Sequence, residues 1–324
     1  MILIRWLKTI RHSYLCEKIM RKDIKHYKKC YVKSRAKDVD GSREARDILV
    51  FCHVVEKGLS HREIKPLFAY ERMCLISSSL ESYLKKGGTD SYIINMAVAT
   101  INKYNAVNLE LGVDKARLIS LPTVSVNDVL NIGTETVTAS EFFKASKSSF
   151  TEMSQMRHSV RLYDCESDII EKEELLKCIK NAQNCPSACN RQAVRVKIVL
   201  DKDKIRKLSE AQGGANGFGE NAGAILVITV DLTLYQPEER RLPMLDSGLF
   251  VMNLVYALYE NELGTCILNA SFTEEREREV QELIHIPQNE MFASLIAVSK
   301  IPQAQSIKVA HSCKRDVNDI VTLI

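Results

Sequence analysis

The chain has 324 residues, 45% hydrophobic and 27% charged, which describes an ordinary soluble protein long enough for two domains. No run approaches 18 consecutive apolar residues, and the ten cysteines include no Cys-x-x-Cys pair, so a membrane span and a zinc site are excluded from the expectation. The net charge of +4 is unevenly spread: residues 1–40 hold twelve Lys/Arg against four Asp/Glu, leaving −4 for the remainder.

Residues 1–40 set Ile4, Leu7, Ile10, Leu15 and Ile19 against Arg5, Lys8, Arg11, Lys18 and Lys22, the spacing of a basic amphipathic helix with Trp6 at its boundary. Three readings compete: a peripheral contact with an anionic membrane, docking on an acidic partner, or a solvated face whose apolar stripe packs on the same protein. Nucleic acid is not expected, because zinc knuckle, helix-turn-helix and interleaved aromatic signals are all missing. The ten cysteines read as reduced thiols of a cytoplasmic protein.

Residues 41–118 form a helical N-terminal region, with helices predicted over 45–55, 66–84 and 91–109 and a loop at Gly87-Gly88. His53, Glu56 and His61 are conceivable metal ligands, but without a cysteine partner they read as ordinary side chains, and no metal is expected. Residues 119–149 are rich in Thr, Ser, Val and Asn, and read as a linker ending in a short helix over 140–147.

The most informative stretch follows. Arg157, Ser159 and Arg161 alternate, so an extended backbone sends all three side chains to one side, two forked cations and a hydroxyl suited to an anion. His158 lies between them. A helix predicted over 171–184 carries Leu175, Leu176, Ile179 and Ala182 on one face. Pro186 and Ser187 stop it, and Asn190 and Gln192 then offer amide donors and acceptors.

The Arg-x-Ser-x-Arg segment, one helix, and the Pro-Ser-x-x-Asn-x-Gln loop together resemble the nitroreductase family of FMN-dependent oxidoreductases, over residues 150–324. The resemblance implies an α+β fold, a mixed, mainly antiparallel sheet flanked by helices. It implies a homodimer, and FMN held by Arg157, His158, Ser159, Arg161, Pro186, Ser187, Asn190, Gln192, Leu268, Asn269 and Arg315. Arg157, Ser159 and Arg315 would take the phosphate, Arg161 the N1–O2 edge, and Asn190 the O4–N3 edge. Flavin N5 would pass hydride from NAD(P)H to a small nitro or quinone-like acceptor, with no catalytic acid or base in the protein. Two alternatives stay open: a flavin-dependent tailoring enzyme acting on one metabolite by dehydrogenation or reductive removal of a substituent, and a non-enzymatic binding protein using the fold as scaffold.

The remaining elements follow in order. A strand is predicted over 194–200, a helix over 202–211, a glycine-rich loop over 212–219 that lacks the Gly-Lys-Ser/Thr of a P-loop, and a buried strand over 224–230. A core helix over 246–263 carries Leu249, Met252, Asn253, Tyr256, Ala257 and Glu260 at 3–4 spacing, with Gly264 as its C-cap and a turn over 265–269. Cys266 in that turn reads as a structural thiol, since no histidine is in sequence context to activate it. An acidic helix over 274–284 and a strand over 291–298 complete the core. Two departures stand out: Ser299-Lys300-Ile301-Pro302 replaces a Gly-Tyr-Pro-like turn, and Arg191 and Ala193 stand where the family often has Pro and an aromatic.

Overall fold

A computed structural model describes residues 2–28, 41–124, 130–163, 170–302 and 305–324. Its first element is helix α1, Ile2–Tyr27. The chain then divides into two units: residues 20–135 with 308–324, and residues 1–19 with 136–307. The last seventeen residues thus group with the helical unit, whereas the sequence division placed them with the C-terminal domain.

The helical unit is built from α2 (Ser42–Leu59), α3 (Tyr70–Lys85) and α4 (Ser91–Glu110). Ile48, Cys52, Val55 and Leu59 keep the 3–4 spacing of a helix face and pack with Met73, Ile76, Leu80, Ile93, Ala97 and Ile101. Asp90 caps α4 by accepting from the N–H groups of Tyr92 and Ile93, as a carboxylate before a helix should. Residues 66–69, expected to open the second helix, instead form a turn in which Leu67 and Ala69 adopt left-handed φ values of 55° and 49°. The Asn108 side chain holds that turn by accepting from the Leu67 N–H.

The chain's C-terminal segment completes this unit. Ser312 N–H donates to the buried Glu56 carboxylate at 2.9 Å, and Tyr92 Oη to the Cys313 carbonyl at 3.0 Å. The Glu56 carboxylate thus accepts a backbone N–H, and among the described residues no group of three or more His, Cys, Asp or Glu is placed to hold a metal ion.

The other unit contains β1 (Thr134–Thr138, shared with the helical unit at its first two residues), α5 (Ala139–Phe143), α6 (Phe150–Met156), α7 (Lys172–Ala182), β2 (Val194–Val199), α8 (Lys202–Gln212), β3 (Ala224–Asp231), α9 (Leu242–Glu260), β4 (Leu263–Asn269), α10 (Glu274–Ile284), β5 (Glu290–Lys300) and β6 (Ser306–Ala310, also shared). Four strands form one antiparallel sheet in the order β2-β3-β5-β4. The fold is α+β, as expected. β3 is central and buried on both faces, in keeping with its unbroken apolar run. Leu226, Ile228, Ile296 and Val298 face α7 and α9, packing against Leu175, Cys178, Leu254, Val255 and Leu258.

Two expectations are corrected here. The segment 119–149 holds β1, and its Ile119 and Ile132 are buried, so it is not an open linker. The core helix runs Leu242–Glu260 and Gly264 does not cap it. The chain turns instead at Glu262, with φ of 58°, and Gly264 already lies within β4. A Cβ there would stand 2.4 Å from Ile301 Cδ1, so a larger residue would force the Ile301 side chain to shift. By composition α9 is long and apolar enough to cross a membrane, yet it packs on the sheet.

Candidate functional site

Two capping interactions bring the chain to the first arginine. Ser149 Oγ accepts from Glu152 N–H while the Glu152 carboxylate accepts from Ser149 N–H, which starts α6 and leaves Arg157 at its end. Arg157 has ψ of 113°, so the helix stops and residues 157–161 run without helical structure. Val160, fully buried, donates its N–H to the Thr265 carbonyl at 2.8 Å, fastening the segment to β4. Tyr163 anchors the next stretch, its hydroxyl donating to the Ala297 carbonyl and its ring lying beside Phe218.

Both arginines are withdrawn from water. Arg161 is only 8% exposed, and Arg157 is half-buried. The Nε of each is buried without a hydrogen-bond partner. Burial lowers the Arg157 pKa, opposed weakly by Tyr256, Tyr259 and Cys266 nearby. Cations held this way cost free energy unless an anion joins them. The donor set, forked guanidinium groups beside half-buried His158 and Ser159, suits a phosphate or a heterocycle edge. Cys266 is buried within β4, where its thiol fills core space. Leu268 is buried and Asn269 ends the same strand.

The second segment, residues 186–192, is held by a network that sequence reading missed. Asp246, buried near the start of α9, accepts from Ala188 N–H through both oxygens, at 3.1 and 3.2 Å, and from Tyr235 Oη at 2.7 Å. Arg191 donates to the Ala188 and Leu234 carbonyls, grips Glu239 through both terminal nitrogens at 2.7 and 2.8 Å, and lies over the Tyr235 ring. The Arg191 guanidinium, followed by the Gln236 N–H, holds the Glu239 carboxyl down to about 2. The pair therefore stays charged until pH falls through that value. This bracing matters because Cys189, Asn190 and Gln192 all adopt left-handed φ near 50°, which costs free energy in non-glycine residues. Inside the loop, Gln192 N–H donates to Ser187 Oγ and Gln192 Nε2 to Asn190 Oδ1. Arg191, a departure from the family pattern in the sequence, serves in the structure to brace the loop.

The two segments lie towards opposite ends of α9. Arg157 is near Tyr256 and Tyr259, whereas the loop is fastened at Asp246, ten to thirteen residues earlier and about 15–20 Å along the axis. Between them the outward face of α9 forms an open groove of about 530 Å³ lined by Phe150, Cys185, Met244, Leu245, Leu249 and Met252. Leu249, Met252, Asn253 and Tyr256, which the sequence suggested as a core stripe, line this outward face. Phe250, Val251, Leu254 and Leu258 face the sheet instead.

Arg315 lies in the helical unit. Its guanidinium donates to Asp90 at 2.8 Å and covers the Tyr92 ring at 4.4 Å.

Residues 155–216 and 207–300 match a family model described as the Nitroreductase family. A protein of Archaeoglobus fulgidus bearing the provisional name NADH dehydrogenase/NAD(P)H nitroreductase is 29% identical over 154 residues, 45% of this chain and 82% of that protein. Among solved structures, a nitroreductase-like protein from Streptococcus mutans is 18% identical with a TM-score of 0.48, covering 54% of this chain and 98% of that one. A provisionally named nitroreductase from Exiguobacterium sibiricum, solved with FMN, is 18% identical with a TM-score of 0.46, covering 55% and 98%.

Proposed function

We propose that this chain, whose residues 155–300 match the nitroreductase family model, is an FMN-dependent oxidoreductase that takes hydride from NAD(P)H and passes it to a small organic acceptor. The observation that carries the reading is the buried Arg161 and half-buried Arg157, each with a buried, unpartnered Nε, in the Arg157-x-Ser159-x-Arg161 segment. When bound, FMN would supply the redox chemistry, and the protein would supply binding, orientation and electrostatics.

Arg157 and Ser159 would hold the phosphate, and Arg161 would face the pyrimidine edge where negative charge accumulates on reduction. A cation already fixed in place needs no reorganisation when that charge arrives. Asn190 would both donate and accept at the polar edge of the ring. Arg315 is left out of this set, because its guanidinium is already paired with Asp90.

The site is completed by a second copy of the chain. In one protomer the points on α9 near the arginine segment and the 186–192 loop are about 15–20 Å apart along the helix axis, so a second copy would be needed to bring a loop to the arginines. A two-fold axis crossing the groove on α9 would lay two such helices antiparallel, bringing the arginines of one beside the loop of the other. The exposed Met244, Leu245 and Leu249 would then be covered.

Purified protein should carry about one FMN per chain, and flavin released by heat should co-migrate with FMN. Colourless protein that takes up no added FMN would overturn the reading. Light scattering should give a dimer, and Leu245→Arg with Leu249→Arg should yield a monomer that has lost most of its flavin. A wild-type monomer with flavin bound would rule out the two-chain site.

Arg161→Ala should act on potential more than on binding. Losing about 1.5–3 kcal/mol of preferential stabilisation of the reduced cofactor lowers the two-electron potential by some 30–65 mV. Arg161→Lys should recover part, since the charge survives and the fork does not. An unchanged potential in a dye-coupled titration would place this arginine away from the ring.

A further inference from the structure

We propose that the outward face of α1 docks this protein on a membrane surface carrying anionic lipid. The helix has two unlike sides. Leu15, Cys16, Ile19 and Asp23 are half-buried and, at about 100° per residue, fall on one side of the cylinder. On the other side, within an arc of about 120°, lie Ile10, Tyr14, Met20 and Ile24, between 43% and 67% exposed. Four large apolar side chains pointing outward from one helix are not accounted for by packing among the described residues.

Charge decides what covers them. Arg11, Lys18, Lys22 and Lys25 are exposed and border this arc along one flank, with Arg21 inside it. Residues 10–28 hold six Lys/Arg against two Asp/Glu, half of the +8 carried by residues 1–40, while residues beyond 40 are net −4. Long basic side chains beside an apolar strip match the boundary between lipid headgroups and acyl chains, because their aliphatic stems lie along the apolar zone while the charged ends stay with phosphate. A tyrosine belongs at the same depth. A groove on an acidic protein would instead favour a narrow apolar ridge with the cations at its rim. Here the strip is broad, and one acid, Glu17, sits within it beside Arg21, four residues on.

The test is co-sedimentation of the full chain with phosphatidylcholine vesicles, with and without phosphatidylserine, at low and high salt. The wild type should pellet with the anionic vesicles, stay in solution with the neutral ones, and lose affinity as salt rises. Lys18→Gln with Lys22→Gln should weaken binding about 30-fold, two cations at roughly fivefold each. Ile10→Asp with Ile24→Asp should abolish it even at low salt. Both pairs are exposed, so circular dichroism and thermal melting should be unchanged. Equal binding to neutral and anionic vesicles, or wild-type sedimentation of the Asp variant, would overturn the proposal. A charge effect with no apolar effect would point to an acidic protein partner and overturn it equally.

Discussion

Deleting residues 311–324 should weaken the helical unit by about 3–5 kcal/mol, a large share of the 5–15 kcal/mol typical of a domain. The buried Glu56 carboxylate accepts from Ser312 N–H at 2.9 Å. Hydrogen bonds to charged groups contribute about 1.5–3 kcal/mol, and a carboxylate left buried without its donor loses that outright. The deletion also removes the Tyr92–Cys313 bond, the Cys313–Asn131 bond and the Arg315–Asp90 pair, the last a partly exposed pair of small value. Amide exchange measures this directly: protection in α2 and α4 should fall by a matching opening free energy, with β3 and β5 little changed. Glu56→Ala in the full chain should reproduce about half the loss. Undiminished protection after deletion would show that the tail only rests on the unit.

Arg157→Ala should weaken FMN binding roughly 10- to 150-fold, the equivalent of one charge-assisted contact of about 1.5–3 kcal/mol. Its guanidinium lies half-buried near α9 and β4, its Nε has no protein partner, and burial lowers its pKa, so the side chain is placed to receive an anion. Removing it also relieves a desolvated charge, so the apoprotein should be no less stable. That combination, weaker cofactor binding with equal or higher apoprotein stability, separates a ligand-holding arginine from a structural one. Fluorescence quenching on titration with FMN reads the first quantity and thermal melting the second. Arg157→Lys should fall between, while Arg315→Ala should leave FMN affinity within a few-fold and alter protection at α4. An apoprotein destabilised by Arg157→Ala, with FMN affinity unchanged, would assign the residue to the fold.

Local rules in the sequence were enough for the apolar run of β3 and the boundaries of α10. An unbroken apolar run has one physical outcome, the middle of a sheet. Other features had no local signature. Helix α9 is apolar nearly all round, so its pattern names a helix without saying which side meets the sheet; packing buried Leu254 and Leu258 and left Leu249 and Met252 outward. Asp246 and Arg191 read as ordinary charged residues, and only the approach of Ala188, Tyr235 and Glu239 from distant positions made them the braces of a strained loop. Arg315, matched to a phosphate by motif, meets Asp90 and the Tyr92 ring, partners that no local pattern around it announces. Periodicity determines which elements form, because it acts through neighbours in sequence. Partners more than two hundred residues apart, such as Glu56 and Ser312, are decided only when the whole chain has packed.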